Sequence, residues 1–273
     1  GLYFLFLRVW GHMGIPAQLA SLILLSLALT AAVHVAAARE RSLYYATLLG
    51  LAAFAAFVMN VAVTGRLFSI RPSPNAFLVW AAFALILAYA YRLRLLLLAG
   101  LLSFLGFLTM KVGTFWGCYW LDFGEKPEHF LVSGALIAAI PALFRHRLRP
   151  DFPPFYRLVG LLSFFTAILI LANVGRSSYL NLDPERIEYG YQILGFVASA
   201  CAVVFGIRRG FSGVVNIGAV YFTIFLYTKF FDWWWDWMPK YQFFFLVGAI
   251  SIVVLYVLRR IREANDSTDV IVV

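Results

Sequence analysis

The stretch from Lys229 to Lys240, KFFDWWWDWMPK, concentrates more potential chemistry than any other in the chain. It holds four of the eight tryptophans, and two carboxylates four positions apart, Asp232 and Asp236. On a helix such a spacing puts both acids on one face and Trp233 and Trp237 on another. Two arrangements fit. One is an interfacial belt, with indole rings at the headgroup level and the carboxylates paired with Lys229 and Lys240. The other is a carboxylate pair beside an aromatic shelf, able to hold a cation or lipid headgroup or to move protons. Trp116 and Trp120, within FWGCYWLDFGEKPE, form a second aromatic group expected at the membrane surface. The binding candidates are therefore Asp232, Trp233, Asp236, Trp237, Trp116 and Trp120. No residue is assigned a catalytic role.

The loop RSSYLNLDPERIE, residues 176–188, carries Asp183, Glu185 and Glu188. Its spacing is not that of an EF-hand. Asp183-Pro-Glu-Arg also reads as a helix start, with Asp at the N-cap, Pro in the first turn and an early Glu facing the dipole. His34, Asn60, Asn173, Gln192 and Asn216 stand out inside apolar segments. Ionisable groups at membrane depth mark function, yet no Asp or Glu lies deep in any segment, which counts against a coupled ion transporter. The amides are expected to bond between helices, and Lys111 and Lys229 to snorkel from segment ends. The sequence has no HExxH, GxSxG, P-loop, CxxC or CxxCH. His12, His34, His129 and His146 fall on both faces, so neither a metal nor a cofactor site is expected.

The elements that would position these residues follow from hydropathy. Hydrophobic residues make up 63% of the 273-residue chain and charged residues 13%, far from the roughly even mixture of soluble domains. An all-α polytopic bundle accounts for this, because lipid is its outer solvent. A span needs about 20 apolar residues. Nine candidates follow Gly11, over residues 16–38, 43–64, 75–91, 95–114, 129–144, 156–174, 189–207, 212–230 and 241–258. They form one transmembrane domain, 1–258, with a polar tail, 259–273. Residues 1–10 read as the end of a helix that starts earlier, or as a short interfacial segment. Glycine and alanine crowd several spans, as at 50–56, 134–139 and 213–218, which favours close helix approach.

Arginine placement orients the bundle. Alternate turns hold Arg39/Arg41, Arg92/Arg94, Arg145/Arg147/Arg149/Arg157, Arg208/Arg209 and Arg259/Arg260/Arg262. That face carries 13 of the 22 basic residues and 5 of the 13 acids; the other carries nine and eight. By the positive-inside rule the basic face is cytoplasmic, and the C-terminus with it. The net charge of +9 sits in short loops suited to anionic headgroups, so nucleic acid is not an expected partner. Cys118 and Cys201 lie at different depths, which opposes a disulfide, and both read as small buried apolar residues.

The run from Tyr221 to Lys240, YFTIFLYTKFFDWWWDWMPK, followed by an apolar span and Arg259-Arg260, resembles the end of the DUF2157 family of bacterial membrane proteins, where an FDWxWD…P+ turn joins the last two spans. Thr64-Gly-Arg-Leu-Phe-Ser-Ile and Phe77–Arg94 are similar to that family's GQIY turn and the span after it. Arg66 stands where the family has Gln, and the family's leading soluble region and first full span have no counterpart here. The resemblance implies a polytopic protein of the bacterial inner membrane and no reaction. Three functional readings stay open: a structural or accessory subunit of a membrane assembly, a carrier or binder of a lipidic or apolar molecule, and an enzyme on lipid-linked substrates. The expected partners are membrane lipids and other membrane proteins.

Overall fold

Proline and glycine punctuate the chain into helices. Pro153-Pro154 open one helix and Pro184 another, each in a first turn where a missing N–H costs nothing. Gly210 closes the helix that Pro184 opens, with φ +67°, its N–H donating to the carbonyls of Gly206 and Ile207. In the computed structural model, the described residues are 13–39, 43–70, 73–115, 126–143, 149–235, 238–250, 252, 256 and 260, with only the backbone described at 112–115, 233 and 234. They form helices α1 (Ile15–Arg39), α2 (Tyr44–Leu67), α3 (Asn75–Tyr91), α4 (Arg94–Phe115), α5 (Glu128–Leu143), α6 (Pro153–Asn173), α7 (Pro184–Arg209), α8 (Ser212–Trp234) and α9 (Lys240–Ile250). No strand occurs among them.

Six helices, α1, α2, α4, α6, α7 and α8, are long and apolar enough to cross a membrane. Three of the nine expected spans are shorter helices, α3, α5 and α9. Large apolar side chains such as Leu24, Leu27, Ile86 and Val197 point outward. Water would not tolerate so continuous an apolar exterior, which marks a membrane-embedded protein. The expected N-terminal segment 1–10, Cys118 and nearly all of the tail lie outside the described residues.

The helices pack as two compact units. In the first, α1 lies along α2 and α3 along α4, with α2 also touching α3 and α4. His34 Nδ1 meets the Tyr91 hydroxyl at 3.1 Å, and Phe57 stacks on Phe83 at 4.2 Å between centroids. The α3–α4 turn is tight, with Arg92 at φ +59°. Arg149 donates twice to the Tyr89 carbonyl, at 2.9 and 2.8 Å, and so caps the carbonyl end of α3. Asp151 pairs with Arg92 at 3.1 Å and Arg94 at 3.8 Å.

The second unit holds α5, most of α6, and α7 to α9. Phe165, Ile168 and Ala172 of α6 pack with Ile217, Tyr221 and Phe225 of α8. Antiparallel α5 and α6 meet backbone to backbone. A Cβ on Gly134 would lie 2.6 Å from the Gly160 carbonyl oxygen, so the crossing admits no side chain. Ser163 Oγ donates to the Phe130 carbonyl, Gln192 Nε2 to the Ala172 carbonyl, and Thr166 meets Tyr221 at 2.6 Å.

Two expectations fail here. Among the described residues, Gln192 is the one in-span amide that bonds to another helix. Asn173 donates to the Leu169 carbonyl on its own helix, Asn60 accepts from Thr64, and Asn216 is exposed. A neighbour one turn away satisfies an amide without requiring a partner helix. Cys201 is exposed, not buried. In a membrane protein an apolar residue can face lipid as readily as protein, so apolarity alone does not imply burial.

Candidate functional site

At one end of the second unit three segments far apart in sequence converge: the start of α5, the 174–183 loop and the start of α7. The loop is shaped by a 3₁₀ turn, Gly175–Ser177, and by Glu188 of α7, whose Oε1 accepts the Gly175 N–H at 2.8 Å. Glu128, in the first turn of α5, uses Oε1 to accept Ser178 Oγ at 2.5 Å and the Tyr179 N–H at 2.9 Å. Lys126 donates to the Ser178 carbonyl at 2.6 Å and lies 4.9 Å from the Tyr179 ring centroid. The Tyr179 hydroxyl hydrogen-bonds His129 Nε2, and the two rings are 5.1 Å apart. His129 is buried.

The residue types suit proton transfer, but the arrangement does not present them to a substrate. Among the described residues, Glu128 Oε2 is the one buried side-chain atom of this group without a hydrogen-bond partner. The other heads bond to one another or to the loop backbone, whereas a general acid or base must be free to reach a reacting atom. The cluster ties the 174–183 loop across α5 and α7. Hydrogen bonds to charged groups are worth about 1.5–3 kcal/mol each, and these are partly buried. No metal-binding group of three or more His, Cys, Asp or Glu occurs among the described residues.

Of the loop acids, Asp183 does sit at the N-cap of α7, with Pro184 in the first turn. Its side chain makes no capping bond; its carbonyl takes the N–H groups of Arg186 and Ile187. Lys126, Glu128, Ser178 and Tyr179 were not singled out by sequence, and His129 only as one of four scattered histidines. No spacing links residue 128 to residue 178. The available signal was weaker: two polar stretches flanking apolar segments on the same low-charge face.

The aromatic candidates are only partly described. Trp116, Trp120, Asp236 and Trp237 lie outside the described residues, and only the backbone of Trp233 is described, within α8. Asp232 pairs with Lys229 at 2.9 Å, its side chain 43% exposed. That matches the interfacial pairing, a contact worth at most about 1 kcal/mol. The aromatic group that does form centres on Trp235. Its ring stacks on Phe231 at 4.8 Å and takes the edge of Phe243 at 5.4 Å, joining α8 to α9. Lys240 Nζ sits 3.7 Å from the Trp235 ring centroid and donates to the Trp235 carbonyl at 2.6 Å. At Trp235 the cation over the ring is the chain's own lysine.

Comparison with protein-family models, with curated proteins and with solved structures gives no match in any of the three.

Proposed function

We propose that this protein is a non-catalytic membrane component, a structural or accessory subunit of a larger membrane assembly. The observation that carries this reading is how fully the polar side chains of the helices are used in packing. Among the described residues, only Trp80 Nε1, Glu128 Oε2 and Ser133 Oγ are buried side-chain polar atoms without a partner. Transport pathways and catalytic pockets instead keep polar groups free for substrate. Ser26, Thr30, Ser103, Thr109, Ser199 and Thr223 bond to carbonyls of their own helices.

The finer placement belongs to the same reading. Nine spans, with the short helices α3, α5 and α9 crossing a thinned or tilted region, bring the C-terminus to the arginine-rich face, the cytoplasmic side of a bacterial inner membrane. The resemblance of Tyr221–Lys240 to the DUF2157 family accords with that location. Extraction in mild detergent tests the function: a co-purifying partner at fixed stoichiometry supports it, and a lone monomer overturns it. Thiol labelling from outside intact cells tests the topology. Leu182→Cys should react and Arg208→Cys should not; equal reactivity overturns the orientation.

A further inference from the structure

At the opposite end of the second unit, α5, α6, α7 and the start of α8 surround a cleft of about 680 Å³, within the range of small-molecule sites. Its walls are apolar, including Ala138, Leu161, Phe164 and Ala202. Exposed Cys201 and Phe205 line it on α7, so it opens sideways through an apolar surface. From Ala198 to Arg209 the lining of α7 runs roughly 16 Å at 1.5 Å per residue, about the depth of one leaflet of a 30 Å hydrocarbon core.

Two arginines lie at one end, Arg157 from the second turn of α6 and Arg209 from the last turn of α7. Arg157 stacks its guanidinium on the Phe211 ring, 3.5 Å from the centroid, and Arg209 lies 5.9 Å from the Phe205 centroid. Stacking uses the flat face of a guanidinium and leaves its in-plane N–H donors available, in the fork that matches a phosphate. Neither arginine has a carboxylate partner among the described residues. Nor does the local sequence offer one: residues 129–150, 152–182 and 189–231 contain no Asp or Glu. Asp151, the acid between these stretches, is held by Arg92 and Arg94. Arg157 is half-buried and Arg209 exposed; a half-buried cation without a counter-charge is costly, and an anion held between the two would relieve that cost.

We infer that this cleft is a site for an anionic phospholipid, with the phosphate between Arg157 and Arg209 and an acyl chain along the Leu161–Ala202 walls. The inference does not depend on the accessory-subunit reading. It requires only that α5 to α7 lie in a membrane.

Cys201 reports on occupancy. In Cys118→Ser protein in micelles, alkylation of Cys201 by a maleimide is timed with added dioleoyl phosphatidylglycerol, dioleoyl phosphatidylcholine or glycerol 3-phosphate. Phosphatidylglycerol should slow the reaction, and the other two should not at equal concentration. Arg157→Gln with Arg209→Gln should raise the phosphatidylglycerol concentration needed about tenfold or more, the scale of losing two charge-assisted bonds. Ala202→Trp, which fills the wall, should weaken protection while both arginines remain. Melting temperature and elution volume verify that each variant is folded. Equal protection by phosphatidylcholine, protection by glycerol 3-phosphate alone, or full protection in the folded double-arginine variant would each overturn the proposal.

Discussion

The two ends of the α5–α8 unit are built from the same helices and treat charge in opposite ways. At the Glu128–Tyr179 end, Lys126, Glu128, His129 and Glu188 each hold the 174–183 loop, through its backbone or through Ser178 and Tyr179. At the Arg157–Arg209 end, two cations line an apolar cleft with aromatic rings beside them and, among the described residues, no carboxylate partner. The first end has both signs of charge and spends them on one loop. The second has one sign only, because the surrounding segments lack acids. A network of both signs stabilises the fold by itself. A cluster of one sign is completed from outside, and at this depth the available anions are lipid headgroups.

Substitutions can break or sharpen this contrast. The largest effect is expected from Gly134→Leu, which would drive a side chain into the α6 backbone and disrupt both ends together. Loss of the folded, monodisperse species in size-exclusion chromatography is the expected outcome, and a normal elution profile would contradict the backbone contact. Next comes Glu128→Ala, which removes the acceptor of two hydrogen bonds, from Ser178 Oγ and the Tyr179 N–H. It should cost about 2–4 kcal/mol, read as a lower unfolding midpoint in detergent. Tyr179→Phe removes the bond to His129 and should cost about 1 kcal/mol in the same assay. At the open end, Arg157→Gln loses a ring contact but no ion pair, so the midpoint should change by less than about 1 kcal/mol. A drop as large as that of Glu128→Ala would show that Arg157 is structural and erase the contrast. Smallest of all, Asp232→Asn removes an exposed pair with Lys229 and should shift stability by about 0.5 kcal/mol or less, fading further at high salt.

Legibility differed by feature. The helix start at Asp183-Pro184 follows local rules, and the structure keeps it; the span expected from Ser212 also begins a helix there. The α5–α6 contact was half legible: a small-residue stripe at 134–139 announced close packing, but not that Gly160 would be its partner. The Trp-rich turn drew attention by composition, yet the ring that stands between helices is Trp235, because it shares a helix row with Phe231 and meets Phe243 of α9. The Glu128–Tyr179 network was not legible, since its halves lie about fifty residues apart and nothing in their spacing marks them as neighbours.

Sequence alone determined the solvent and the charge layout. Runs of about twenty apolar residues can be satisfied only as helices in hydrocarbon, and the absence of acids from 189 to 231 fixes the sign of the charge near Arg209. Tertiary structure alone decided which polar groups meet and which stay open. Pairing between helices depends on their rotation and crossing, and side chains that are apolar all round leave both undetermined until backbones touch, as they do at Gly134 and Gly160.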